Sequence, residues 1–372
     1  MPWVRLLKKN GYDVFAIAPS GAWNKQIEAS GAKYIEWQLS RSGRNPISEI
    51  RSVFKLTRIL KQIKPDIVQN FHTKPNIYAP IAAKLAGTGI TVSTVTGLGY
   101  TFVEKSGLGS YLAKRLNLSM YALSNRLADQ VTFQNPDDMR LLRANGALTK
   151  TKGQFIPGGS GVDLEEYSPN TRNTPESQNL RTSLSISSDA FVVMFVGRLQ
   201  TDKGLFEFVE AANILKSRQD IAFIMVGAPD PGNKRSLLQS TLSKWKSEKN
   251  VIFTGRREDV PKLMAMANII VTPTFYREGL PRTLLEGAAT GLPLIGTDTP
   301  GVREAISNGV NGTLIPTRDS ANLAKAIKDL ANDPAKCKHY GEASLERAKN
   351  EFDHRRVIGK YMTMYKEIWK QL

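Results

Sequence analysis

The sequence contains a single cysteine, Cys337, and only three histidines among its 372 residues. Disulfides and cysteine metal clusters are therefore excluded, and a reducing, cytoplasmic setting suits the chain. The histidines are scattered along the sequence, so a histidine metal site is not expected. No apolar run is long enough for a membrane-spanning helix. The start, MPWVRLLKKNGYD, lacks the apolar core of a signal peptide.

Acidic residues are scarce in the first half of the chain. The net charge is +17, and residues 1–160 hold 22 basic against 9 acidic residues, whereas residues 161–372 hold 29 against 25. The first half should therefore face an anionic partner, such as a phospholipid surface or a pyrophosphate-bearing substrate. No nucleic-acid partner is predicted, because no motif interleaves aromatic and basic residues in a known pattern. A basic surface that only keeps the chain soluble is the alternative.

Strand-like runs alternate with helical patterns along the whole chain, which is typical of parallel sheets with helices on both faces. The predicted strands are residues 13–19, 32–37, 66–71, 90–95, 130–135, 153–158, 191–197, 221–227, 250–255, 268–273 and 293–297. The polar stretch 168–190 predicts a linker. We therefore predict an N-terminal domain over residues 1–170, a C-terminal domain over 185–350 and a final helix over 354–372.

The first domain opens on a helical pattern, PWVRLLKKNG, rather than on a strand. A doubly wound domain normally begins with a strand that lies in the middle of its sheet. Without that strand, backbone groups next to a buried face have no partners. We therefore expect that the first strand of this domain is missing and that the natural start lies upstream.

The stretch FYREGLPRTLLEGAATGLPLIGTD carries two acids, Glu278 and Glu286. It follows a strand, and Pro281 suits the first turn of a helix, which places Glu278 on the preceding loop and Glu286 inside the helix. The N–H groups of Gly279 and Leu280 then lie at a helix start, which favours an anion. Carboxylates accept hydroxyl donors, so the stretch suits a ligand with an anionic centre between hydroxyl-rich ends. A nucleotide sugar has this layout.

A second strand-to-helix turn, FVGRLQTDKG, supplies cations at the same edge of the sheet. Gly197 permits close backbone approach, and Arg198 and Lys203 could neutralise a departing diphosphate. A capping turn with surface charges is the alternative. The chain has no D-x-D motif, so no metal is predicted. A glycosidase pair of carboxylates is less favoured, because the cations argue for a phosphate leaving group.

Three weaker features complete the predicted site. FTGRREDVP, with Arg256 and Arg257, ends a strand and could lay backbone groups against a base, although a plain loop fits equally well. His72 follows a strand in the first domain and is a candidate acceptor-side residue, with a structural role as the alternative. Gly97, in TVTGLGYTF, suggests close approach of a substrate.

These motifs resemble those of the retaining glycosyltransferases of family 4, which have the GT-B fold. VGRLQTDKG, FTGRREDVP and REGLPRTLLEGAATGLPLIGTDTPGVRE follow one another in family order, and NPDD and SGVDLEEYSP resemble the bacterial branch that builds surface polysaccharides on lipid carriers. The resemblance implies two Rossmann-like domains, each with a doubly wound parallel sheet, that face a central cleft. It also implies that the final helix crosses back to the first domain.

The resemblance further implies a role for each motif residue in a metal-independent reaction that needs no cofactor. Arg198 and Lys203 would hold the diphosphate of a nucleotide sugar, commonly linked to UDP, and Glu286 would hold the ribose. Glu278 would contact the transferred sugar, with Gly279, Leu280 and Pro281 along its phosphate side. Many family members carry a histidine in the loop that here reads TVTGLGYTF, so Thr96 or a nearby backbone group would take that role.

The sequence therefore predicts a retaining glycosyltransferase that moves a sugar to a lipid-linked or polysaccharide acceptor in cell-surface glycan biosynthesis. A sugar-nucleotide epimerase of the same fold and an inactive binding subunit are the alternatives. Residues 108–127 mix apolar and basic side chains, which makes them a candidate contact with the inner face of the plasma membrane. An internal amphipathic helix is the alternative for this segment.

Overall fold

The computed structural model describes residues 2–39, 45–99, 102, 107–149, 151–172 and 174–371. The chain forms two compact units, Met1–Gly159 with His354–Leu372 and Ser160–Asp353. The division lies before the predicted linker. The stretch 168–190 belongs to the second unit and contains a 3₁₀ turn and a helix. The last helix belongs to the first unit.

The first unit alternates strands and helices as the sequence pattern predicts. Its strands are β1 (Phe15–Ala18), β2 (Lys33–Glu36), β3 (Ile67–Phe71), β4 (Ile90–Val95), β5 (Gln130–Phe133) and β6 (Gly153–Phe155). Its helices are α1 (Pro2–Lys9), α2 (Asn24–Ala29), α3 (Pro46–Ile63), α4 (Thr73–Ala86), α5 (Leu108–Leu127) and α6 (Pro136–Ala144), together with the last helix of the chain, α15 (His354–Trp369).

The strands of the first unit form two parallel sheets rather than one. β1 pairs with β2, and β3, β4, β5 and β6 follow in that order, with no ladder between β1 and β3 among the described residues. Ile17 of β1 and Val68 of β3 nevertheless pack in one apolar cluster with Leu56 and Leu60 of α3. The two sheets thus share side-chain packing without sharing backbone hydrogen bonds, and the predicted absence of a first strand stays a prediction.

The second unit contains one six-stranded parallel sheet. Its strands are β7 (Phe191–Val196), β8 (Ile221–Val226), β9 (Ile252–Gly255), β10 (Ile269–Thr272), β11 (Leu294–Thr297) and β12 (Gly312–Ile315). Its helices are α7 (Pro175–Ser183), α8 (Leu205–Ile214), α9 (Gln239–Glu248), α10 (Val260–Met266), α11 (Arg282–Ala289), α12 (Val302–Ala305), α13 (Ser320–Asn332) and α14 (Pro334–Arg347), followed by a π-helical turn, Ala348–Phe352. β12 was not predicted from the sequence.

The strand order of this sheet, β12-β11-β10-β7-β8-β9, positions the candidate site. β7 is an unbroken apolar run whose central residues are buried on both faces of the sheet, as expected for a parallel strand between helix layers. The order reverses between β7 and β10. Open α/β sheets bind ligands at the carboxyl ends of the strands at such a reversal. The loops that follow β7 and β10 are the two predicted motif loops. In the described part of the chain, no helix combines the length and the apolarity needed to cross a membrane.

Candidate functional site

The loops after β7 and β10 are fastened to each other by buried hydrogen bonds. The carbonyl oxygen of Asp202 accepts from the Phe275 N–H at 3.1 Å and from the Thr274 hydroxyl at 3.0 Å. Thr274 is fully buried. The backbone of the FVGRLQTDKG turn is therefore held against the start of the FYREGLPR loop, and side chains that are about 75 residues apart in sequence can meet.

Gly204 allows this close approach. Its φ is +77°, and a Cβ atom at this position would lie 2.0 Å from the Pro273 carbonyl oxygen. Any other residue would strain the backbone and push the two loops apart. Gly204 thus sets the position of Lys203, which precedes it.

Lys203 and Glu278 form an ion pair between the two loops. Their side chains are only 19% and 15% exposed, so solvent screens this pair less than a surface pair. The Lys203 ammonium also lies 5.2 Å from the centre of the Tyr276 ring. The structure therefore brings together one predicted cation and the acid predicted to contact the transferred sugar.

Arg198 lies with a different acid. Its guanidinium donates to Asp230 at 3.1 Å, and the same carboxylate oxygen accepts from the Gln200 amide at 2.9 Å. The Arg198 side chain is 57% exposed, whereas that of Asp230 is 11% exposed. Arg198 and Lys203, the two predicted diphosphate ligands, thus lie in the same turn but pair with different carboxylates. The sequence analysis missed Asp230.

A buried acid lies beneath this turn. Asp202 is 2% exposed and accepts a hydrogen bond from Arg235 at 2.8 Å, while its Oδ1 atom has no hydrogen-bond partner among the described residues. Burial raises the pKa of the Asp202 carboxyl. Arg235 also lies 5.3 Å from the Tyr276 ring centre, and burial raises the pKa of the Tyr276 hydroxyl. Sequence reasoning missed Arg235 and Tyr276, although Tyr276 stands in the quoted motif two residues before Glu278.

Glu286 lies inside α11 and has its own set of partners. It is 8% exposed, forms an ion pair with Arg282 at 3.2 Å and accepts a hydrogen bond from the Tyr167 hydroxyl. Burial raises the pKa of Glu286, and the same cause raises that of Tyr167. The structure does not pair Glu286 with either predicted cation. Sequence reasoning missed Tyr167, which lies in the motif SGVDLEEYSP.

Pro281 precedes α11 rather than starting it. Its ψ of 118° is extended, and the helix begins at Arg282, which corrects the predicted first turn by one residue. Gly279 and Leu280 are buried before it. Gly301, with φ at +84°, lies against this loop, and a Cβ there would be 2.4 Å from the Gly279 carbonyl oxygen. The predicted anion-binding backbone is thus covered on one side.

Three other predicted donor residues lie at the ends of β7 and β9. Gly197 ends the β7 ladder, with its N–H donating to Val226 at 2.9 Å. Arg256 is exposed, and Arg257 forms a two-point ion pair with Asp259 at 2.7 and 2.6 Å within its own turn. β9 is the strand at one edge of the sheet and is separated from β7 by β8.

The predicted acceptor-side residues lie together in the first unit. The His72 Nδ1 atom is 3.0 Å from the Thr96 hydroxyl, at the carboxyl ends of β3 and β4. His72 has a φ of +70°, which is uncommon for a residue other than glycine. Gly97 follows Thr96, and the next N–H, that of Leu98, donates to the buried Asp138 at 3.1 Å.

A cavity of about 470 Å³ lies in the same unit, where β1 and β2 end. Ser20, Glu36, Arg51 and Lys55 are among its lining residues. Sequence reasoning did not identify this cavity, because its walls come from a loop, a strand end and one side of α3 that share no motif. Among the described residues, no three histidine, cysteine, aspartate or glutamate side chains form a group that could hold a metal ion.

Comparison with protein families matches both halves of the chain. A family described as "Glycosyl transferases group 1" matches residues 176–347, and one described as "Glycosyl transferase 4-like" matches residues 1–135. The first match contains the loops after β7 and β10 in full. The second contains His72, Thr96 and Gly97.

Individual proteins are similar over most of the chain. The N,N'-diacetylbacillosaminyl-diphospho-undecaprenol alpha-1,3-N-acetylgalactosaminyltransferase of Campylobacter jejuni is 28% identical over 100% of this chain and 96% of its own. The UDP-Gal:alpha-D-GlcNAc-diphosphoundecaprenol alpha-1,3-galactosyltransferase of Escherichia coli is 27% identical over 77% of this chain and 72% of its own. The crystal structure of HepE from Anabaena in complex with UDP-glucose superposes with a TM-score of 0.79 at 20% identity, over 99% of this chain and 94% of its own.

Proposed function

Because the chain belongs to the glycosyl transferases of group 1 and has the GT-B fold, we propose that it transfers a sugar from a UDP-linked donor to a lipid-linked acceptor in the assembly of a cell-surface glycan. The ion pair between Lys203 and Glu278, at the reversal of strand order, carries this proposal. The names of the Campylobacter and Escherichia relatives support the acceptor class. The UDP-glucose complex of the Anabaena protein supports the donor class.

Donor binding would exchange the partners of the two cations. The diphosphate takes the place of Glu278 beside Lys203 and of Asp230 beside Arg198. The N–H groups of Gly279 and Leu280 add donors along the phosphates. Glu278, released from Lys203, then accepts hydrogen bonds from hydroxyl groups of the sugar. Cations fixed beside the leaving diphosphate stabilise the charge that develops on it, which is commonly a large part of catalysis.

Glu286 would hold the ribose of the donor. Its burial, together with the contacts to Arg282 and Tyr167, fixes the carboxylate in one orientation. A carboxylate in this state accepts hydroxyl donors without a large loss of side-chain entropy. We place the base near the turn that carries Arg256 and Arg257.

We propose that the reaction retains the anomeric configuration and needs no metal. The C1–O bond to the β-phosphate breaks, and a C1–O bond to the acceptor hydroxyl forms on the same face of the sugar, while the hydroxyl proton passes to the departing diphosphate. Retention rests on the family resemblance. Lys203 and Arg198 offer the positive charge that a divalent cation would otherwise supply.

The acceptor would bind to the first unit, whose basic excess suits a pyrophosphate. His72, Thr96 and Gly97 stand at the carboxyl ends of β3 and β4, the edge at which such sheets bind ligands. We place the enzyme in the cytoplasm and at the inner face of the plasma membrane, where a lipid-linked acceptor would be met.

A donor and acceptor assay tests the proposal. UDP-sugars are screened by thermal shift, and the best ligand is then incubated with an undecaprenyl-diphosphate-linked sugar. We expect UDP release and a longer glycan only when both substrates are present, with a strong loss in Lys203→Ala and none in the control Lys244→Ala. Conversion of the donor without an acceptor would indicate an epimerase, and binding without turnover an inactive subunit. Either result overturns the proposal.

A further inference from the structure

The solvent side of α5 carries an apolar stripe. Leu108, Leu112, Leu116 and Leu123 are between 53% and 74% exposed, and Tyr111 beside them is 59% exposed. Residues at spacings of four and seven lie on one face of a helix, so the four leucines form a single row. At about 1.5 Å per residue, the 20-residue helix is about 30 Å long.

The opposite side of the same helix packs on the core of the first unit. Leu118 and Tyr121 are 5% and 1% exposed and belong to the apolar cluster that also contains Phe133. A helix that packs on one side of a soluble protein normally has a polar outer face. α5 is apolar on both sides, and exposed rows of this kind mark interaction surfaces.

The charge of α5 is of one sign. The helix contains no aspartate or glutamate, and Arg115 and Arg126 are exposed on the same face as the leucines. Lys114 is partly exposed and lies on the other side of the helix, four residues before Leu118. Leucines flanked by long basic side chains are typical of helices that lie in the plane of an anionic bilayer.

A second helix repeats this composition. α3 exposes Ile47, Ile50 and Phe54, each more than half exposed, with Arg51 and Arg58 exposed on the same face. α3 and α5 both pack against α4. Their outward surfaces therefore belong to one helix layer. We call the exposed residues of this layer the α3/α5 face: Ile47, Ile50, Arg51, Phe54 and Arg58 of α3, and Leu108, Leu112, Arg115, Leu116, Leu123 and Arg126 of α5.

Acids are nearly absent from this helix layer. α3, α4 and α5 together contain nine lysines and arginines and a single acid, Glu49. Glu49 is 16% exposed and forms an ion pair with Lys74 at 2.6 Å. The basic residues of this layer therefore far outnumber its acids, and the α3/α5 face is complementary to a negatively charged surface.

We propose that the α3/α5 face binds the surface of an anionic bilayer, with its leucines and Phe54 at the head-group boundary and its arginines on lipid phosphates. A second copy of the chain fits less well, because two α3/α5 faces would bring like charges together. This membrane contact deepens the proposed function and rests on it only for the reason why the enzyme would meet a bilayer, namely its lipid-linked acceptor. Vesicle binding needs neither donor nor acceptor, so either proposal can fail alone.

Vesicle co-sedimentation of the full chain tests this face. The probes are vesicles of phosphatidylglycerol with phosphatidylethanolamine, and vesicles of phosphatidylcholine alone. We expect binding to the anionic vesicles that weakens with added salt. The double variant Leu112→Ser/Leu116→Ser should reduce the partition coefficient at least about tenfold. Arg115→Gln/Arg126→Gln should reduce it by about as much, on the anionic vesicles only.

Matched controls come from exposed residues of the second unit. Ile214→Ser/Val310→Ser removes two exposed apolar side chains, and Lys325→Gln/Lys328→Gln removes two exposed charges on α13. Both controls should bind vesicles as the original chain does, and every variant should keep its unfolding temperature and its UDP-sugar binding. The proposal is wrong if the α5 variants bind as the original chain does, or if the controls lose binding equally. It is also wrong if the chain is a dimer that the leucine variant dissociates.

Discussion

The Arg198 guanidinium donates to the Asp230 carboxylate at 3.1 Å, so one of the two cations proposed to bind the diphosphate already has an anionic partner. Lys203 is in the same state with Glu278. An incoming diphosphate must compete with these carboxylates, and it does so with two charged groups and more acceptor oxygens than either acid offers.

The competition at Arg198 predicts an effect of Asp230 on donor affinity. Asp230→Asn keeps an oxygen for Gln200 but removes the charge that holds Arg198. UDP should therefore bind about two- to fivefold more tightly, since an ion pair with one exposed partner contributes about 1 kcal/mol. Calorimetric titration with UDP measures this. Asp220→Asn is the control, because Asp220 pairs with Arg218 elsewhere on the second unit. Weaker UDP binding in Asp230→Asn would show instead that Asp230 orients Arg198 for the donor.

The cations themselves should affect turnover more than affinity. Charge develops on the diphosphate as the sugar leaves, so Arg198→Ala and Lys203→Ala should each lower kcat about 100-fold or more. KM for the donor should change less. Arg218→Ala, which removes a partly exposed cation of the same unit that pairs with Asp220, should keep the original kcat. Unchanged kcat in both site variants would rule out the proposed role of these two residues.

The alternation of strands and helices could be predicted from the sequence because it follows a local pattern. Each predicted strand overlaps an observed strand, and their ends differ by at most three residues, since buried parallel strands are apolar runs bounded by turns. β12 was missed because GTLI is short and begins with glycine. The N-terminal helical pattern became α1.

The partners of the site residues could not be predicted from the sequence. Lys203 and Glu278 were expected near each other because both follow strands whose carboxyl ends share one edge of the sheet. Asp230, Arg235 and Tyr167 lie on loops whose contacts depend on the fold of the whole unit, and no periodic pattern points to them. Their roles became visible only as hydrogen bonds to residues that motifs had already identified.

The proposed metal independence predicts full activity in the presence of a chelator. EDTA should leave kcat and the donor KM unchanged, because Lys203 and Arg198 are proposed to supply the positive charge beside the diphosphate. The measurement is UDP release with and without EDTA, followed by addition of Mg²⁺ or Mn²⁺. A loss of activity that either ion restores would contradict this part of the proposal.

Gly204 should be needed for both stability and turnover. In Gly204→Ala the positive φ alone costs about 1–2 kcal/mol, and the contact with the Pro273 carbonyl should add about 1–3 kcal/mol as the two loops separate. Gly309→Ala is the control, since Gly309 has a φ of +78° but no atom within 4 Å of the added Cβ. Chemical denaturation gives both free energies of unfolding. Equal losses in the two variants would mean that the loops tolerate the contact.

The environment of Glu286 predicts opposite effects on donor binding and on stability as the pH changes. Burial raises its pKa above the usual 4.5, so the ionised form that we propose accepts the ribose hydroxyls should be lost at a higher pH than for an ordinary glutamate. UDP affinity should therefore fall on mild acidification, and Glu286→Gln should bind weakly at every pH. Tyr167→Phe removes a hydrogen bond that lowers the pKa of Glu286, so it should move the fall to still higher pH.

The same shift has a definite sign for folding. A carboxyl whose pKa is raised in the folded state contributes stability that is present below its unfolded pKa and is lost as the pH rises through the folded value. Glu286→Gln, which has no such charge to bury, should therefore be more stable than the original chain at neutral pH, and this advantage should vanish in acid. Thermal unfolding of both proteins across this pH range measures the difference, with the exposed Glu342→Gln as the control. A variant that is less stable at neutral pH would show that the ion pair with Arg282 outweighs the cost of burial.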